Sequence, residues 1–294
     1  MGTGAARSNS KENSTEGIKK GYLFFNVLAI SLGFMQFGVG MNSLSNTVDA
    51  WARYFNWSDD ETTLYSDILQ SINIAGAAVG ALSCSKLLFM PRLRVMLILN
   101  LVLCVGVGIS LIGQKIWIMA IGRFIWGLGY GAFSVLCAKF VNEITPIELI
   151  GPFGAMNQLS LTFGAALPCT LALAYPHDIN KKDYSGSDFY VNQYFRIIWA
   201  VPLVISAIQV LLMMTCFRNE SPVYLAEQGK QDEITAVYKK WYEPTEVRRR
   251  LDMLKADAQK QEGSQEAQEE TIKDTFLDPR IRGAAWVGFW LCTA

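Results

Sequence analysis

The sequence has few charged residues, and its positive and negative charges balance. Charged side chains make up 18% of its 294 residues, with 26 basic against 26 acidic, so no excess of positive charge indicates a nucleic-acid partner. It has a single histidine, and its six cysteines show no metal-ligand spacing. Neither a metal site nor a disulfide framework is therefore predicted. Because the sequence also lacks a nucleophile arrangement and a phosphate-binding loop, it predicts neither an enzyme nor a cofactor.

Long apolar runs are what the sequence has in abundance. Hydrophobic residues make up 51% of it, and several nearly uncharged runs of about 20 residues are long enough to cross a bilayer core about 30 Å thick. Soluble domains rarely show this balance. In one run, Gly76 and Gly80 predict close packing between helices. The sequence predicts an all-α membrane protein, a bundle of six transmembrane helices at residues 21–41, 64–85, 95–114, 116–138, 152–175 and 197–217.

Less apolar segments flank this six-helix bundle at residues 21–217. Residues 1–20 are polar and predict a cytosolic tail. Residues 218–283 are highly charged and predict a cytosolic linker with amphipathic helices. One of these helices carries apolar residues at helical spacing, namely Ile234, Val237, Tyr238 and Trp241. Residues 284–294 are apolar but too short to cross a bilayer, so they predict the start of an incomplete seventh span.

The distribution of basic residues predicts the orientation. Lysine and arginine concentrate in the tail, in the loop at residues 86–94 and after residue 217. The segment at residues 42–63 instead holds four acids and the single base Arg53. The positive-inside rule then places both ends of the bundle in the cytosol and residues 42–63 outside. Asn56 begins an acceptor sequon in that external segment, which is usable only if the segment faces a secretory lumen.

Two motifs carry a resemblance to a known family. The first combines a Gly-Arg pair, spaced glycines, an acid followed by a hydrophobe and a proline, another glycine, and a Gln-Leu pair. Its members are Gly122-Arg123, Gly127, Gly129, Gly131, Glu143-Ile144, Pro146, Gly151 and Gln158-Leu159. The second reads NESPVYL at residues 219–225. In this order and spacing the motifs resemble the sugar porter branch of the major facilitator superfamily, over its N-terminal half only.

This resemblance implies a fold, partners and two alternative functions. In the family, one six-helix bundle rocks against a second around a site near the bilayer midplane. The chain is thus expected to sit in a lipid bilayer and to need a second six-helix half or another membrane subunit. The first function is transport of a hexose-like sugar by alternating access. The alternative is a non-transporting structural or interaction subunit of a larger membrane complex. The family default is the plasma membrane, with an organelle membrane left open.

Gln158 is the candidate sugar-binding residue. One amide can donate and accept hydrogen bonds at once, which suits a ligand rich in hydroxyl groups. The resemblance implies that the matching glutamine contacts the hexose. The other interpretation is that Gln158 bonds a neighbouring helix. Its neighbour Asn157 points away by about 100° on a helix and is a weaker candidate.

Arg123, preceded by Gly122, is a candidate structural or gating residue. A buried arginine in lipid-like sequence is costly and therefore indicates a function. The resemblance implies a bond inside the bundle that fixes this half, whereas the alternative is snorkelling to the headgroups. Many proton-coupled members carry an aspartate after a Gly-aromatic pair on the first span. Here Gly33-Phe34 is followed by Met35, so the resemblance favours facilitated diffusion over proton coupling.

The resemblance also implies a set of cytosolic charges that hold the two halves in one state. The charged members present here are Arg92, Arg94, Glu143 and Glu220. Several positions depart from the family pattern, namely Leu88, Pro91, Ile150 and Val223. Removing one partner of a desolvated ion pair is costly unless the need for the pair has gone. The departures therefore lead to the hypothesis that this latch is under reduced demand.

Overall fold

Helices make up most of the chain that the structure describes. The computed structural model describes residues 19–113, 115–174, 189–215, 218, 220–244 and 247–254. Its helices are α1 Lys20–Asn42, α2 Val48–Phe55, α3 Asp59–Leu87, α4 Arg92–Ile112, α5 Ile116–Ile144, α6 Ile150–Ala172, α7 Phe189–Thr215, α8 Pro222–Glu227 and α9 Gln231–Trp241. A short 3-10 helix, Ile147–Leu149, joins α5 to α6, and residues 247–254 form a further helix, α10.

Some predicted segments fall outside these ranges. Residues 1–18 of the predicted tail, the linker from residue 255 onward and the predicted seventh span at 284–294 lie outside the described residues. So do residues 175–188, which make up most of the stretch between the fifth and sixth predicted spans. The boundaries between tail, bundle, linker and seventh span therefore stay predictions.

The six long helices correspond to the six predicted spans. Five of them, α1, α3, α4, α5 and the part of α7 from Tyr194, are long and apolar enough to cross a membrane. The sixth, α6, has 23 residues but carries the polar residues Asn157 and Gln158 side by side. It is therefore not among the helices that are apolar enough to cross a membrane by composition alone. It packs extensively along α1 and so belongs to the same bundle.

Helix α5 lies at the centre of the bundle, between α3 on one side and α4 on the other, and it also contacts α1. The contact with α3 depends on glycine. A Cβ added at Gly76 would collide with the carbonyl oxygen of Phe124, and one added at Gly80 would collide with that of Leu128. The predicted role of this glycine pair in close helix packing is confirmed, because no side chain fits between the two backbones.

The segment predicted as an external loop at residues 42–63 contains more structure than expected. It holds the short helix α2 and the first turn of α3. Helix α2 is anchored by Trp51, which is fully buried and contacts the rings of Phe195 and Trp199 on α7. A capping box starts α3, because the Ser58 side chain accepts from the Glu61 N–H while Glu61 accepts from the Ser58 N–H.

Helices α8, α9 and α10 pack at the end of the bundle where α1 begins. The four apolar residues predicted to share one face of α9, from Ile234 to Trp241, are all buried. Backbone pairing joins this helix to the start of α1, since the Lys19 N–H donates to the Trp241 carbonyl over 2.8 Å. The linker is thus attached directly to the bundle near the first span.

Candidate functional site

Gln158 lies on the outward face of α6. The residues that this helix buries include Phe153, Asn157 and Ser160, whereas Gln158 and its neighbour Leu159 are exposed. The Gln158 backbone carbonyl accepts from the Thr162 hydroxyl at 2.9 Å. Among the described residues, however, no group hydrogen-bonds to the side-chain amide of Gln158. That amide is available to a ligand or to a partner outside this bundle.

Asn157 takes the opposite position on the same helix. Its side chain is buried, and its Oδ1 accepts a hydrogen bond of 2.7 Å from the Ser31 hydroxyl on α1. The expected turn of about 100° between consecutive helical residues separates the two amides in this way. One amide therefore joins α6 to α1, and the other faces away from the bundle.

Arg123 is held inside the bundle. Its side chain is fully buried, and its two terminal nitrogens donate to Ser43 Oγ at 3.2 Å and to Gln70 Oε1 at 3.0 Å. The guanidinium also lies over the rings of Trp126 and Trp199, 5.0 and 5.1 Å from their centroids. These contacts place the charge among α1, α3, α5 and α7, and the side chain does not snorkel to the headgroups.

The surroundings of Arg123 are neutral. Helix α1 contains no aspartate or glutamate, and both side-chain partners of Arg123 are uncharged. The preceding residue, Gly122, gives α5 close access to α4, because an added Cβ would lie 2.6 Å from the Ser110 backbone nitrogen. The pair thus combines a tight helix contact with a buried cation whose partners do not titrate in the physiological range.

A buried polar cluster joins α1, α4 and α7, and the sequence analysis did not find it. Gln36 donates to Asn100 Oδ1 at 3.1 Å and to Gln209 Oε1 at 3.2 Å. Asn100 donates to the same Gln209 oxygen at 3.1 Å, and Ser206 donates to Gln36 Oε1 at 3.2 Å. Gln209 in turn donates to the α1 carbonyl of Ala29 at 3.1 Å. All four side chains are at most 3% exposed.

The sequence offers only a weak signal for this amide cluster. Each of the three spans carries a polar residue within an uncharged run, and nothing local indicates which of them meet. We use the name amide cluster for Gln36, Asn100, Ser206 and Gln209. Because each amide oxygen and nitrogen has a partner within the cluster or on the backbone, the amide cluster is satisfied without a ligand and holds the three helices together.

Three of the four charges predicted for the cytosolic latch come together at the start of α4. Arg92 forms a two-pronged ion pair with Glu143 of α5, at 3.0 and 3.2 Å. Its guanidinium also donates to the Leu88 carbonyl. Glu220 caps α4 by accepting from the backbone N–H groups of Arg92 at 2.8 Å and Leu93 at 3.3 Å.

The surroundings of Glu220 shift the pKa of its carboxyl group in two opposite directions. Burial raises the pKa of Glu220 above its ordinary value, while the backbone N–H donors of Ser221, Leu93 and Arg92 lower it. Burial has the larger effect. Arg94, the fourth predicted member, is exposed and forms no ion pair within the described residues, so the structure does not bring it into the cluster.

A second ion pair lies nearby, between α10 and the turn before α6. Arg250 Nη2 is 3.0 Å from both carboxylate oxygens of Glu148, and the guanidinium lies 5.3 Å from the ring centroid of Tyr242. The sequence analysis did not predict this pair. Its members are 102 positions apart in the chain, so no local pattern reveals it.

Comparisons with known proteins agree with this architecture. A family model described as "Sugar (and other) transporter" matches residues 25–293. Hexose transporter 1 of Toxoplasma gondii is 23% identical over 266 residues, which cover 87% of this chain and 47% of that protein. Hexose transporter 1 of Plasmodium knowlesi is 26% identical over 264 residues, covering 86% of this chain and 52% of that protein. The chain spans about half the length of these curated relatives.

Solved structures show the same fold. The partially occluded, inward-open xylose transporter XylE from E. coli superposes with a TM-score of 0.68 at 20% identity, over 83% of this chain and 61% of that chain. The proton:xylose symporter XylE bound to 6-bromo-6-deoxy-D-glucose gives 0.67 at 19% identity, over 81% and 53%. These likenesses confirm the prediction of an all-α membrane bundle that corresponds to half of a major facilitator fold.

Proposed function

Because this chain belongs to the sugar (and other) transporter family, we propose that it forms the first six-span half of a unit that carries a hexose-like sugar. The family and the apolar helices make it an integral, multi-pass membrane protein, and the family is one of transporters, not enzymes. In the proposed unit this half and a second half alternately open a shared site to the two sides of the membrane.

The observation that carries the proposal is the outward amide of Gln158. A hydrogen-bonding group without a partner has a high free energy in the hydrocarbon core, so the presence of the Gln158 amide on a span favours a functional role. Sugar hydroxyls both donate and accept, and the Gln158 amide matches both properties. In this proposal Gln158 binds the sugar, while Asn157, already bonded to Ser31, holds α6 in place.

A second half is supported by the residues that surround Gln158 along α6. Gln158, Thr162, Ala166 and Thr170 follow one another at four-residue spacing, and all four are exposed. Such a stripe of small and polar residues is suited to close contact with another helix and poorly suited to lipid. We propose that the second half, encoded in the same polypeptide or in another subunit, covers this stripe.

Facilitated diffusion is favoured over proton coupling by the surroundings of Arg123. A proton-coupled site needs a group that gains and loses a proton during the cycle. Arg123, about two turns from the start of α5, is fully buried, and its two terminal nitrogens donate to Ser43 and Gln70, neither of which is a carboxylate. Helix α1 has no acidic residue, and among the described residues no carboxylate forms an ion pair with this buried charge.

Orientation and membrane are part of the same proposal. The linker helices and the Arg92–Glu143 pair lie at the end of the bundle with the basic loop at residues 86–94. The positive-inside rule places that end in the cytosol and α2 on the opposite side. The plasma membrane is the proposed location. An impermeant thiol reagent applied to intact cells should label Asn56→Cys and leave Arg248→Cys at the background of the native cysteines.

Uptake of labelled hexose into sealed vesicles tests the function. Vesicles carrying the complete unit should take up hexose saturably, and Gln158→Ala should lower uptake by about tenfold or more, as loss of a substrate-orienting hydrogen bond would. Leu159→Ala, at the exposed neighbouring position, is the matched control and should leave uptake within about twofold of the original rate. Equal uptake by the Gln158 and Leu159 variants would remove the site assignment.

The coding sequence past Ala294 decides the form of the unit. Six further spans in the same reading frame would make this chain the front half of one polypeptide. A stop codon would require a separate subunit, and purification in mild detergent should then recover that subunit in fixed proportion. A stoichiometric complex that transports no sugar would favour the interaction-subunit alternative.

A further inference from the structure

Three basic side chains at one end of the bundle take no part in the ion pairs described above. They are Lys86 in the last turn of α3, Arg94 in the first turn of α4 and Lys139 near the end of α5. All three are exposed, and none of them forms an ion pair or a side-chain hydrogen bond with another described residue. A short turn joins α3 to α4, and Lys139 lies one turn before Glu143, whose partner Arg92 begins α4. The three cations therefore share this end of the bundle.

Lys86 and Arg94 each end a strip of exposed apolar side chains. The residues of each strip follow one another at three- or four-residue spacing, so they lie on one face of their helix. Toward this end of the bundle, the strips are Val79, Leu82 and Lys86 on α3, and Leu101, Ile98 and Arg94 on α4. Apolar side chains on the surface of a membrane span contact acyl chains, and a cation at the end of the span reaches the headgroups. The two strips therefore place Lys86 and Arg94 at the level of the lipid headgroups.

The turn between these two cations carries an exposed aromatic ring. Phe89 is 85% exposed, more than any other large apolar side chain in the described part of the chain. Residues 82–95 contain no acid, and the nearby carboxylates are engaged, Glu143 by its ion pair and Glu220 by the backbone N–H groups of α4. The surface around Phe89 is therefore both apolar and positively charged. Apolar insertion and attraction to negative charge together favour an anionic lipid over a zwitterionic one.

We propose that Lys86, Phe89, Arg94 and Lys139 form a binding site for an anionic phospholipid, which we call the headgroup site. The three basic side chains bind the phosphate of the headgroup, and the Phe89 ring packs among the acyl chains of the same lipid. In the proposed orientation this lipid belongs to the cytosolic leaflet, which carries the negative surface potential. The headgroup site stands on the geometry of the membrane bundle and does not depend on sugar transport.

Equilibrium binding of a fluorescent phosphatidylglycerol to the complete protein in a neutral detergent tests the headgroup site. The original protein should bind it about tenfold or more tightly than the matching phosphatidylcholine. Each of Lys86→Gln, Arg94→Gln and Lys139→Gln should weaken phosphatidylglycerol binding by about fivefold, because each removes one cation near the headgroup. Lys115→Gln, at an exposed lysine beside the opposite end of α5, is the matched control and should leave the affinity within about twofold of the original.

Two further measurements separate a lipid from free phosphate. Phe89→Ser should weaken phosphatidylglycerol binding by about threefold or more, and soluble glycerol phosphate at the same concentration as the lipid should not displace it. Displacement by glycerol phosphate, or full binding by the Phe89 variant, would overturn the assignment to a lipid. Equal affinity of the original protein for the two lipids would overturn the headgroup site. So would a variant with all three glutamine substitutions that binds phosphatidylglycerol as tightly as the Lys115 variant does.

Discussion

The membrane interior of this bundle and its proposed cytosolic end hold their helices together in different ways. In the interior, the amide cluster joins α1, α4 and α7 through neutral side chains that satisfy one another. At the cytosolic end, Arg92–Glu143 and Arg250–Glu148 join helices through opposite charges. Neutral amides avoid the cost of burying charge in lipid, while Arg92 and Glu143, both nearly buried at the end of the bundle, offset that cost by pairing with each other. The polarity of each contact therefore follows the depth at which it lies.

Arg123 is a charged side chain buried among neutral ones inside the bundle, and its contacts show how this charge is tolerated. Two neutral oxygens and two tryptophan rings surround the guanidinium. Cation–π contacts stabilise a desolvated cation without introducing a second charge. Within the part of the chain that the structure describes, no carboxylate pairs with this buried cation. This neutrality is the physical basis for proposing facilitated diffusion.

The largest effect is expected where a buried charge loses its partner. In Glu143→Ala, Arg92 stays almost completely buried without its carboxylate, so the free energy of unfolding should fall by about 3–5 kcal/mol. Titration with a denaturing detergent, in mixed micelles, measures this change. The control is Glu227→Ala, an exposed acid on α8. A Glu143 variant as stable as the Glu227 variant would show that the cytosolic end does not depend on its ion pair.

A smaller loss is expected from the amide cluster. Gln209→Leu removes the acceptor shared by Gln36 and Asn100, so one N–H of each amide loses its hydrogen-bond partner. The free energy of unfolding should fall by about 1–3 kcal/mol. Ile208→Leu, at the exposed neighbouring position on α7, should be close to neutral in the same titration. If both variants keep full stability, the cluster does not hold the three helices together.

The smallest effect is expected for the Arg250–Glu148 ion pair, and it should depend on the salt concentration. Arg250 is buried and Glu148 keeps more of its contact with water, so Arg250→Ala should lower the free energy of unfolding less than Glu143→Ala does, by about 1 kcal/mol at low ionic strength. At 1 M salt, where charges are screened beyond about 3 Å, this difference should shrink. The Gln209→Leu difference should stay constant in the same salt series. Equal salt dependence of the two variants would contradict the division between neutral interior and charged end.

Sequence patterns predict most of the fold because each membrane span is visible in the sequence as a continuous apolar run. Six apolar runs gave the six long helices, and the apolar spacing from Ile234 to Trp241 gave α9. The short helix α2 was missed because its polar residues resemble those of a loop, and the start of the next helix at the Ser58–Glu61 capping box was missed with it. Helix ends shifted because polar residues such as Asp59 and Glu143 extend helices beyond the apolar core.

The candidate site was only partly predictable for a different physical reason. Gln158 and Arg123 could be identified from the local sequence alone, because each is a polar residue within an apolar run. Whether each faces inward or outward depends on tertiary packing, which placed Arg123 inside the bundle and Gln158 on its surface. The amide cluster and the Arg250–Glu148 pair join residues far apart in the chain, and neither member of such a contact reveals the other.

The most direct test of the account measures sugar and proton movement together. Vesicles carrying the complete unit and an internal pH indicator are given hexose, and uptake and internal pH are followed at once. The neutral surroundings of Arg123 predict hexose uptake with no accompanying change in internal pH, and the same rate with or without a pH gradient. Hexose-dependent proton entry in step with uptake would contradict the account.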